Sequence, residues 1–417
     1  MRSVAYITTD FPTMAWFIES EVHRLVAHGV RVRVYTLRAP SRSYQPEHAA
    51  LVPLTTAVGS PFSPASWGAV LYWLARRPLV FITEALRMIW ASRTSAYALA
   101  GHIGYLPAAA RIARLIERED VEWVHAAWSH FPASVAYMVW KLTGRGFSMA
   151  AHAGSDLYRT QAFLAQKVRA ADSVVACVRR NAEMLRLLAG PASRVECVYH
   201  GVDLSRFDGT GRAPAPQPLL LSVGRLVNGK GFEDAIAAMV HLRDSGVAAR
   251  LVLVGDGPKR ATFEALARDL GVADRVEFRG RLTHDELLPL YRSAWLLVAP
   301  SKVLPNGRRD GIPNVVVEAM AMGVPCVGTP VGGLDEVIMP DETGSLAPPS
   351  NPAAFARVLE TLLRDPEKIE RMGRAGRRLV TRDFDAERNF ERHLALLGGR
   401  QRREAAARPV DPQVVSA

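Results

Sequence analysis

Two cations and two carboxylates hold positions from which they could bind an anionic ligand. Arg225 and Lys230 lie in Gly224-Arg225-Leu226-Val227-Asn228-Gly229-Lys230-Gly231, directly after the apolar run at 218–223. A planar guanidinium fork and an ammonium in one strand-to-helix turn can neutralise a diphosphate. The glycines let backbone approach the anion closely. A charged surface turn has the same composition, so the neighbours must decide. Asp310 and Glu318 belong to DGIPNVVVEAMAMGVPCVGTPVGG, residues 310–333. Pro313 suits the first turn of a helix. The N–H groups of Asn314 and Val315 then point out of the helix N-terminus and form an anion site. Glu318 falls early in that helix, where it can accept hydrogen bonds from ribose hydroxyls. Asp310 precedes it, close to a sugar ring, with Gly311 and Ile312 completing the loop. Carboxylates at this spacing are common; the pair together with Gly-Ile-Pro-Asn and the strand-end Gly-Thr-Pro-Val-Gly-Gly is not.

Other strand ends carry less decided signals. Gly255-Asp256-Gly257-Pro258 is a tight turn on the ligand side of a strand. No Gly-x-Gly-x-x-Gly follows it, which argues against a dinucleotide oxidoreductase. His125, Trp128 and His130, in HAAWSHFP, read either as lining for an acceptor or as structural residues of a strand-to-helix turn. Asp383-Phe384-Asp385 could be taken for a metal-binding pair, but it precedes an amphipathic run and reads as a helix N-cap.

The elements that must position these residues form an α/β pattern. Apolar strands at 4–8, 30–37, 121–126, 148–151, 173–177 and 195–198 alternate with helical stretches such as 17–28 and 133–142. Residues 40–105 break the rhythm and read as an insertion beside the sheet. The Gly-, Pro- and Ala-rich stretch 208–218 is a linker, and the alternation restarts after it. Two doubly wound parallel-sheet domains follow, with ligands expected at the carboxyl ends of the strands. The Arg-, Ala- and Pro-rich residues 399–417 read as an unstructured tail.

At 417 residues the chain is long enough for two buried cores. Its net charge of +11 is uneven: residues 1–200 hold 22 Lys and Arg against 13 Asp and Glu. A basic first half fits an anionic phospholipid surface, a lipid-linked pyrophosphate or a polyanionic glycan, or a plain Arg-rich surface. Three widely spaced cysteines make no disulfide framework or zinc motif and fit a reducing cytoplasm. Val4 to Ile7 is too short for a signal peptide and reads as a buried strand. The most apolar stretch, 68–90, is interrupted by Arg76, Arg77, Pro78, Glu84 and Arg87. It cannot span a bilayer, and with Trp73 and Trp90 it reads as a core helix or one lying on a membrane.

The chain resembles the retaining glycosyltransferases of family 4, which have the GT-B fold of two facing Rossmann-like domains. The resemblance rests on AHAGSDLY around His152, HGVDLSRF at 200–207, VGRLVNGKGF at 223–232, LVGDGP at 253–258 and the segment 310–333, in the family's order. It implies an acceptor-binding domain over 1–205, a nucleotide-sugar-binding domain over 206–380, and a helix over 381–398 crossing back. It implies that Arg225 and Lys230 hold the donor diphosphate. Asp310 and Glu318 match the two-carboxylate motif, with Asp in place of the more usual Glu. His152 matches the histidine that reaches the transferred sugar. Arg279-Gly280-Arg281-Leu282 matches the base-binding stretch, and Gly224, Gly255, Asp256 and Gly257 join the donor site. The loop after the first strand lacks the glycine pair of many members. Its Phe11-Pro12, counted as acceptor-side with His125 and His130, resembles the exopolysaccharide and colanic-acid subset.

The implied activity is retaining hexosyl transfer to a glycan or lipid-linked acceptor in surface-polysaccharide synthesis. The donor is expected to be a UDP-sugar ahead of GDP-mannose, with no metal, cofactor or nucleic acid. The cysteine usage points to the cytoplasm, and the basic half with the 68–90 stretch to a peripheral place on the inner face of the membrane. An inactive sugar-nucleotide-binding subunit of a polysaccharide assembly is the alternative.

Overall fold

The computed structural model of the chain describes residues 1–12, 16–39, 46–154, 156–190 and 193–398. The expected tail at 399–417 and the loop residues 13–15 lie outside the described residues.

The first half runs β1 (Ser3–Thr8), α1 (Trp16–Ala27), β2 (Arg31–Thr36), β3 (Thr55–Ala57), α2 (Pro64–Arg76), α3 (Pro78–Ala91), α4 (Ala96–Arg118), β4 (Trp123–Ala126), α5 (Phe131–Thr143), β5 (Phe147–Ala151), α6 (Leu164–Ala170), β6 (Ser173–Ala176), α7 (Arg179–Ala189) and β7 (Val195–Cys197). The second half runs β8 (Leu219–Val223), α8 (Phe232–Asp244), β9 (Arg250–Val254), α9 (Arg260–Asp269), β10 (Val276–Gly280), α10 (His284–Ser293), β11 (Leu296–Ala299), α11 (Asn314–Ala321), β12 (Cys326–Gly328), β13 (Gly344–Leu346), α12 (Pro352–Leu363), α13 (Pro366–Asp383) and α14 (Ala386–Leu396).

Both sheets are wholly parallel, with strand orders β3-β2-β1-β4-β5-β6-β7 and β10-β9-β8-β11-β12-β13. This is the GT-B pair of Rossmann-like sheets. Helices cover both faces, so strands such as SVAYIT are buried at every position. The helix ends follow local chemistry. Thr283 and Glu286 form a capping box on α10. At the end of α5, Gly144 adopts φ 74°, a conformation that favours glycine. Asp385 accepts from the Arg388 N–H at 2.8 Å, which makes the Asp-x-Asp a helix cap.

The stretch 40–105 is not simply an insertion beside the sheet. Thr55–Ala57 joins it as the outer strand, parallel to β2. Three polar or small residues at an edge carry no apolar run, which hid the strand. The apolar stretch 68–90 is two helices broken at Arg77, with Pro78 opening the second.

The last helix, α14, lies against the first domain. Phe390 and Leu397 share a core with Val4, Phe11 and Val22. Ser173 Oγ donates to the Leu396 carbonyl at 3.0 Å, and Arg24 pairs with Glu387 at 3.2 Å.

Candidate functional site

In each sheet the strand order reverses between its first and fourth strands, at β1/β4 and β8/β11. Loops leaving the carboxyl ends of those strands diverge there and leave a crevice. At the second switch point, the loop after β8 carries Arg225 and Lys230, and the loop after β11 leads to Asp310. Backbone joins the two: the Lys302 N–H donates to Gly229 O at 2.8 Å. A Cβ on Gly231, which has φ 73°, would fall 1.8 Å from Pro300 O, so only glycine lets the loops close this tightly. The β9 turn joins the same rim, since Leu226 N–H donates to Asp256 O at 3.0 Å and Gly255 N–H to Gly280 O at 2.7 Å.

Lys230 Nζ lies 2.9 Å from Asp310 Oδ2, with both side chains partly exposed. Arg225 is exposed, and among the described residues its guanidinium makes no ion pair. Helix α11 begins four residues after Asp310, with Pro313 as its N-cap rather than in its first turn. The correction leaves Asn314 and Val315 as the first helical residues, both half-buried at the helix mouth. Glu318 sits one turn deeper, only 2% exposed. Its Oε2 accepts from Tyr291 OH at 2.8 Å, and Oε1 lies 3.9 Å from His284 Nε2. Burial pushes its carboxyl up to about 7, against the pull of the Tyr291 bond and the Arg206 charge.

Some donor-side residues are committed to structure. Asp256 Oδ1 accepts from Gly257 N–H at 2.8 Å and closes its own turn. Arg279 lies inside β10, not after it, and pairs with Glu277 on the same face. Leu282 is half-buried against the second core.

Across the cleft, the His152 loop meets the Asp310 loop directly. Gly154 N–H donates to Arg309 O at 2.8 Å, and Arg309 lies 4.3 Å over the Tyr158 ring. A Cβ on Gly311 would approach Ala153 and Val178 at 3.3 Å. His152 itself has both ring nitrogens engaged. Nε2 must donate to the Ala127 carbonyl at 2.9 Å, so Nδ1 is bare and accepts from His200 Nε2 at 3.0 Å. Burial holds its pKa below the ordinary value, keeping it neutral. Contact between this imidazole and a sugar therefore requires one of those bonds to break.

Three acceptor-side expectations are corrected. Phe11 is fully buried in the core with Tyr6 and Ile18, and Pro12 is buried beside it. His125 is also fully buried, because β4 runs to Ala126 and places it inside the strand. It bonds Ser148 Oγ at 2.9 Å. His130 remains partly exposed at the mouth, its Nδ1 2.9 Å from Asp156 Oδ1.

Asp156 was not anticipated. It also accepts from the backbone N–H groups of His130 at 3.1 Å and His152 at 2.8 Å. These contacts hold its carboxyl below the usual range despite burial. Glu336 is a second omission. From the second domain, it accepts from the N–H groups of Arg179 and Arg180 at 3.0 Å each and so caps α7 of the first. Tyr199 OH donates to it at 2.9 Å. Asp156 stands in AHAGSDLY, the segment around His152, so its signal was present there; Glu336 lies beyond the 310–333 segment and in no motif that could have flagged it.

Two groups of side chains have donor atoms close enough for a metal ion: His152, Cys177 and His200, and Glu21, His125 and His393. In the first, both His152 nitrogens are already bonded, and burial pushes the Cys177 thiol up, which disfavours the thiolate a metal needs. In the second, Glu21 Oε1 lies 3.6 Å from each imidazole. His152, His200 and His393 line a small chamber that none of Arg225, Lys230, Asp310 and Glu318 touches.

Comparison with known proteins gives this geometry a family. Residues 207–379 match the "Glycosyl transferases group 1" family, and residues 89–206 match "Glycosyltransferase Family 4". A D-inositol 3-phosphate glycosyltransferase of Xylanimonas cellulosilytica is 33% identical over 310 residues, covering 69% of this chain and 67% of that one. The chain belongs to glycosyltransferase family 4. A putative colanic acid biosynthesis glycosyltransferase, WcaL of Escherichia coli, is 31% identical over 215 residues, 51% of this chain and 53% of WcaL. Several relatives are matched over only about half their length. The Anabaena Alr3699/HepE structure in complex with UDP shares the fold at TM-score 0.70 and 15% identity, covering 94% of this chain and 98% of that one.

Proposed function

We propose that this glycosyltransferase moves a hexose, with retention, from a nucleotide-diphosphate donor to a glycan or lipid-linked acceptor in surface-polysaccharide synthesis. One observation carries the reading: Lys230 and Asp310, 80 positions apart, meet at 2.9 Å at the β8/β11 switch point, beside Arg225 and the mouth of α11. Cations and bare amides there face the place where the leaving diphosphate gains charge.

The sugar–oxygen bond to the diphosphate breaks as an oxocarbenium-like sugar forms. Arg225, Lys230 and the Asn314 and Val315 amides stabilise the departing charge. The acceptor attacks from the same face, and the leaving phosphate oxygen takes its proton. No protein base is demanded, and two built-in cations supply what a metal otherwise would, so turnover is proposed to be metal-independent. Asp310 orients the sugar and Glu318 the ribose. His130, held by Asp156, faces the acceptor side. UDP is preferred as carrier on its frequency in the family. The polysaccharide role is supported by the similarity to WcaL.

The test is donor hydrolysis and transfer by Lys230→Ala. Loss of one anion-stabilising donor should cut turnover by about 100-fold or more. Full turnover in the variant would refute the assignment. A wild-type protein that binds donor yet neither hydrolyses nor transfers it would point to an inactive binding subunit instead.

A further inference from the structure

Helices α2 and α3 are apolar on both sides. Their inner faces, with Ala69, Val70 and Trp73 on α2 and Phe81, Ala85 and Met88 on α3, are buried. Their outer faces should then be polar. Instead Trp67 and Leu71 follow at i and i+4 on α2, and Leu79, Ile82, Leu86 and Trp90 follow at i, i+3, i+7 and i+11 on α3. Leu71 is 67% exposed, Leu79 78% and Trp90 68%. Eight of the twelve exposed large apolar side chains among the described residues fall between Phe62 and Ile103, a tenth of the chain. Scattered exposed leucines need no explanation, but helical stripes of them do.

The charges carried by the two helices and the turns beside them are almost all of one sign; the carboxylate of another element beside them is Glu117 of α4, half-buried, which accepts from Tyr72 OH at 3.3 Å and shares a hollow with Arg76. Between residues 60 and 103 the sole carboxylate is Glu84. It is buried and accepts from Tyr137 OH and Arg87, both at 2.9 Å, with Lys141 at 3.3 Å. Arg76 and Arg77 are exposed where the two helices join. Arg93 lies 4.4 Å over the ring of Trp90, which places a cation beside the aromatic end of the α3 stripe.

We propose that α2 and α3 form a docking surface for an anionic phospholipid bilayer. Apolar stripes bounded by Arg and Trp, on helices that carry no exposed carboxylate of their own, match the boundary between acyl chains and acidic headgroups. A two-fold contact with a second copy would bring two patches of the same positive charge together. No described helix is long and apolar enough to cross a membrane, so the surface lies on the bilayer. Next to it, Pro61 and Gly104 line a groove with Arg38, Tyr97 and Phe131. Arg159, 3.5 Å over Tyr97, continues that wall toward Tyr158, on which Arg309 lies. Docking in this way would bring the acceptor side of the cleft to the membrane, which rests on the transferase reading; the docking itself does not.

The test is flotation of the full chain with vesicles of phosphatidylcholine containing about one-third phosphatidylglycerol, and of phosphatidylcholine alone. The protein should float with the anionic vesicles at about 0.05 M salt and less at about 1 M. Leu79→Glu/Leu86→Glu/Trp90→Glu should cut partitioning about 100-fold or more. Arg76→Glu/Arg77→Glu should cut it about tenfold on anionic vesicles only. Melting temperature and nucleotide binding should stay unchanged in both variants, which separates failed docking from failed donor chemistry. Wild-type protein that stays unbound at low salt, or a triple variant that floats like wild type, would overturn the proposal. So would a dimer that the triple variant dissolves and that ignores vesicles.

Discussion

Glu318 is a carboxylate that the fold holds against its own stability, and replacing it should show this. Its carboxyl rises from the ordinary 4.5 to about 7, first because of burial. A difference of that size corresponds to about 3 kcal/mol between protonated and ionised forms. A carboxyl whose folded pKa lies above its unfolded value stabilises the fold fully below the unfolded pKa, and that contribution is lost as pH rises through the folded pKa. Glu318 should therefore cost stability progressively between about pH 4.5 and pH 7. In Glu318→Gln the amide oxygen can still accept from Tyr291, but nothing ionises. Chemical denaturation across this range should show the variant gaining on wild type, by up to about 3 kcal/mol at neutral and higher pH. Transfer should fall, because an amide is a weaker acceptor for ribose hydroxyls than a carboxylate. His284, at 3.9 Å, and Arg206 are the other charged or titratable groups near it, so the series is repeated in His284→Asn. Parallel pH profiles for wild type and variant would refute the reasoning.

On the proposed reading, Asp310, paired with Lys230 at 2.9 Å, competes with the donor for that ammonium. Asp310→Asn should let a nucleoside diphosphate bind up to about fivefold tighter, since a partly exposed ion pair contributes at most about 1 kcal/mol, while transfer drops; calorimetry and turnover check the two directions. Glu336→Ala removes the cap that the second domain lends to α7, a loss of about 1 kcal/mol. Small-angle scattering should show a larger radius of gyration than wild type, and an unchanged radius would remove Glu336 as a clasp.

Much of the scaffold was legible because parallel strands buried on both faces read as apolar runs, and because glycine and proline mark their ends. The Asp385 cap was legible from its place before an amphipathic run. His125 was misplaced because it was grouped with the turn residues Trp128 and His130, although the strand expected over 121–126 already contains it and carries it into the core. Phe11 carried no sign of burial, since the core it joins is completed by Ile18 from a neighbouring helix and Phe390 from the far end of the chain, and Pro12 is buried beside it. The Lys230–Asp310 pair and the Glu336 cap join distant stretches, and only the strand order brings them together. Lys167, buried with its ammonium donating to the Ser129 and His130 carbonyls at 2.6 and 2.9 Å, lies in the seven-residue helix α6 and gave no signal.

The central claim is that the β8/β11 rim binds a pyrophosphate. It is tested most directly by thermal shift with UDP and GDP beside UMP and GMP, on wild type and Lys230→Ala. A diphosphate should raise the melting temperature of wild type well above its matching monophosphate, and that difference should vanish in the variant. Equal shifts from mono- and diphosphates, or a difference that survives the loss of Lys230, would contradict the account.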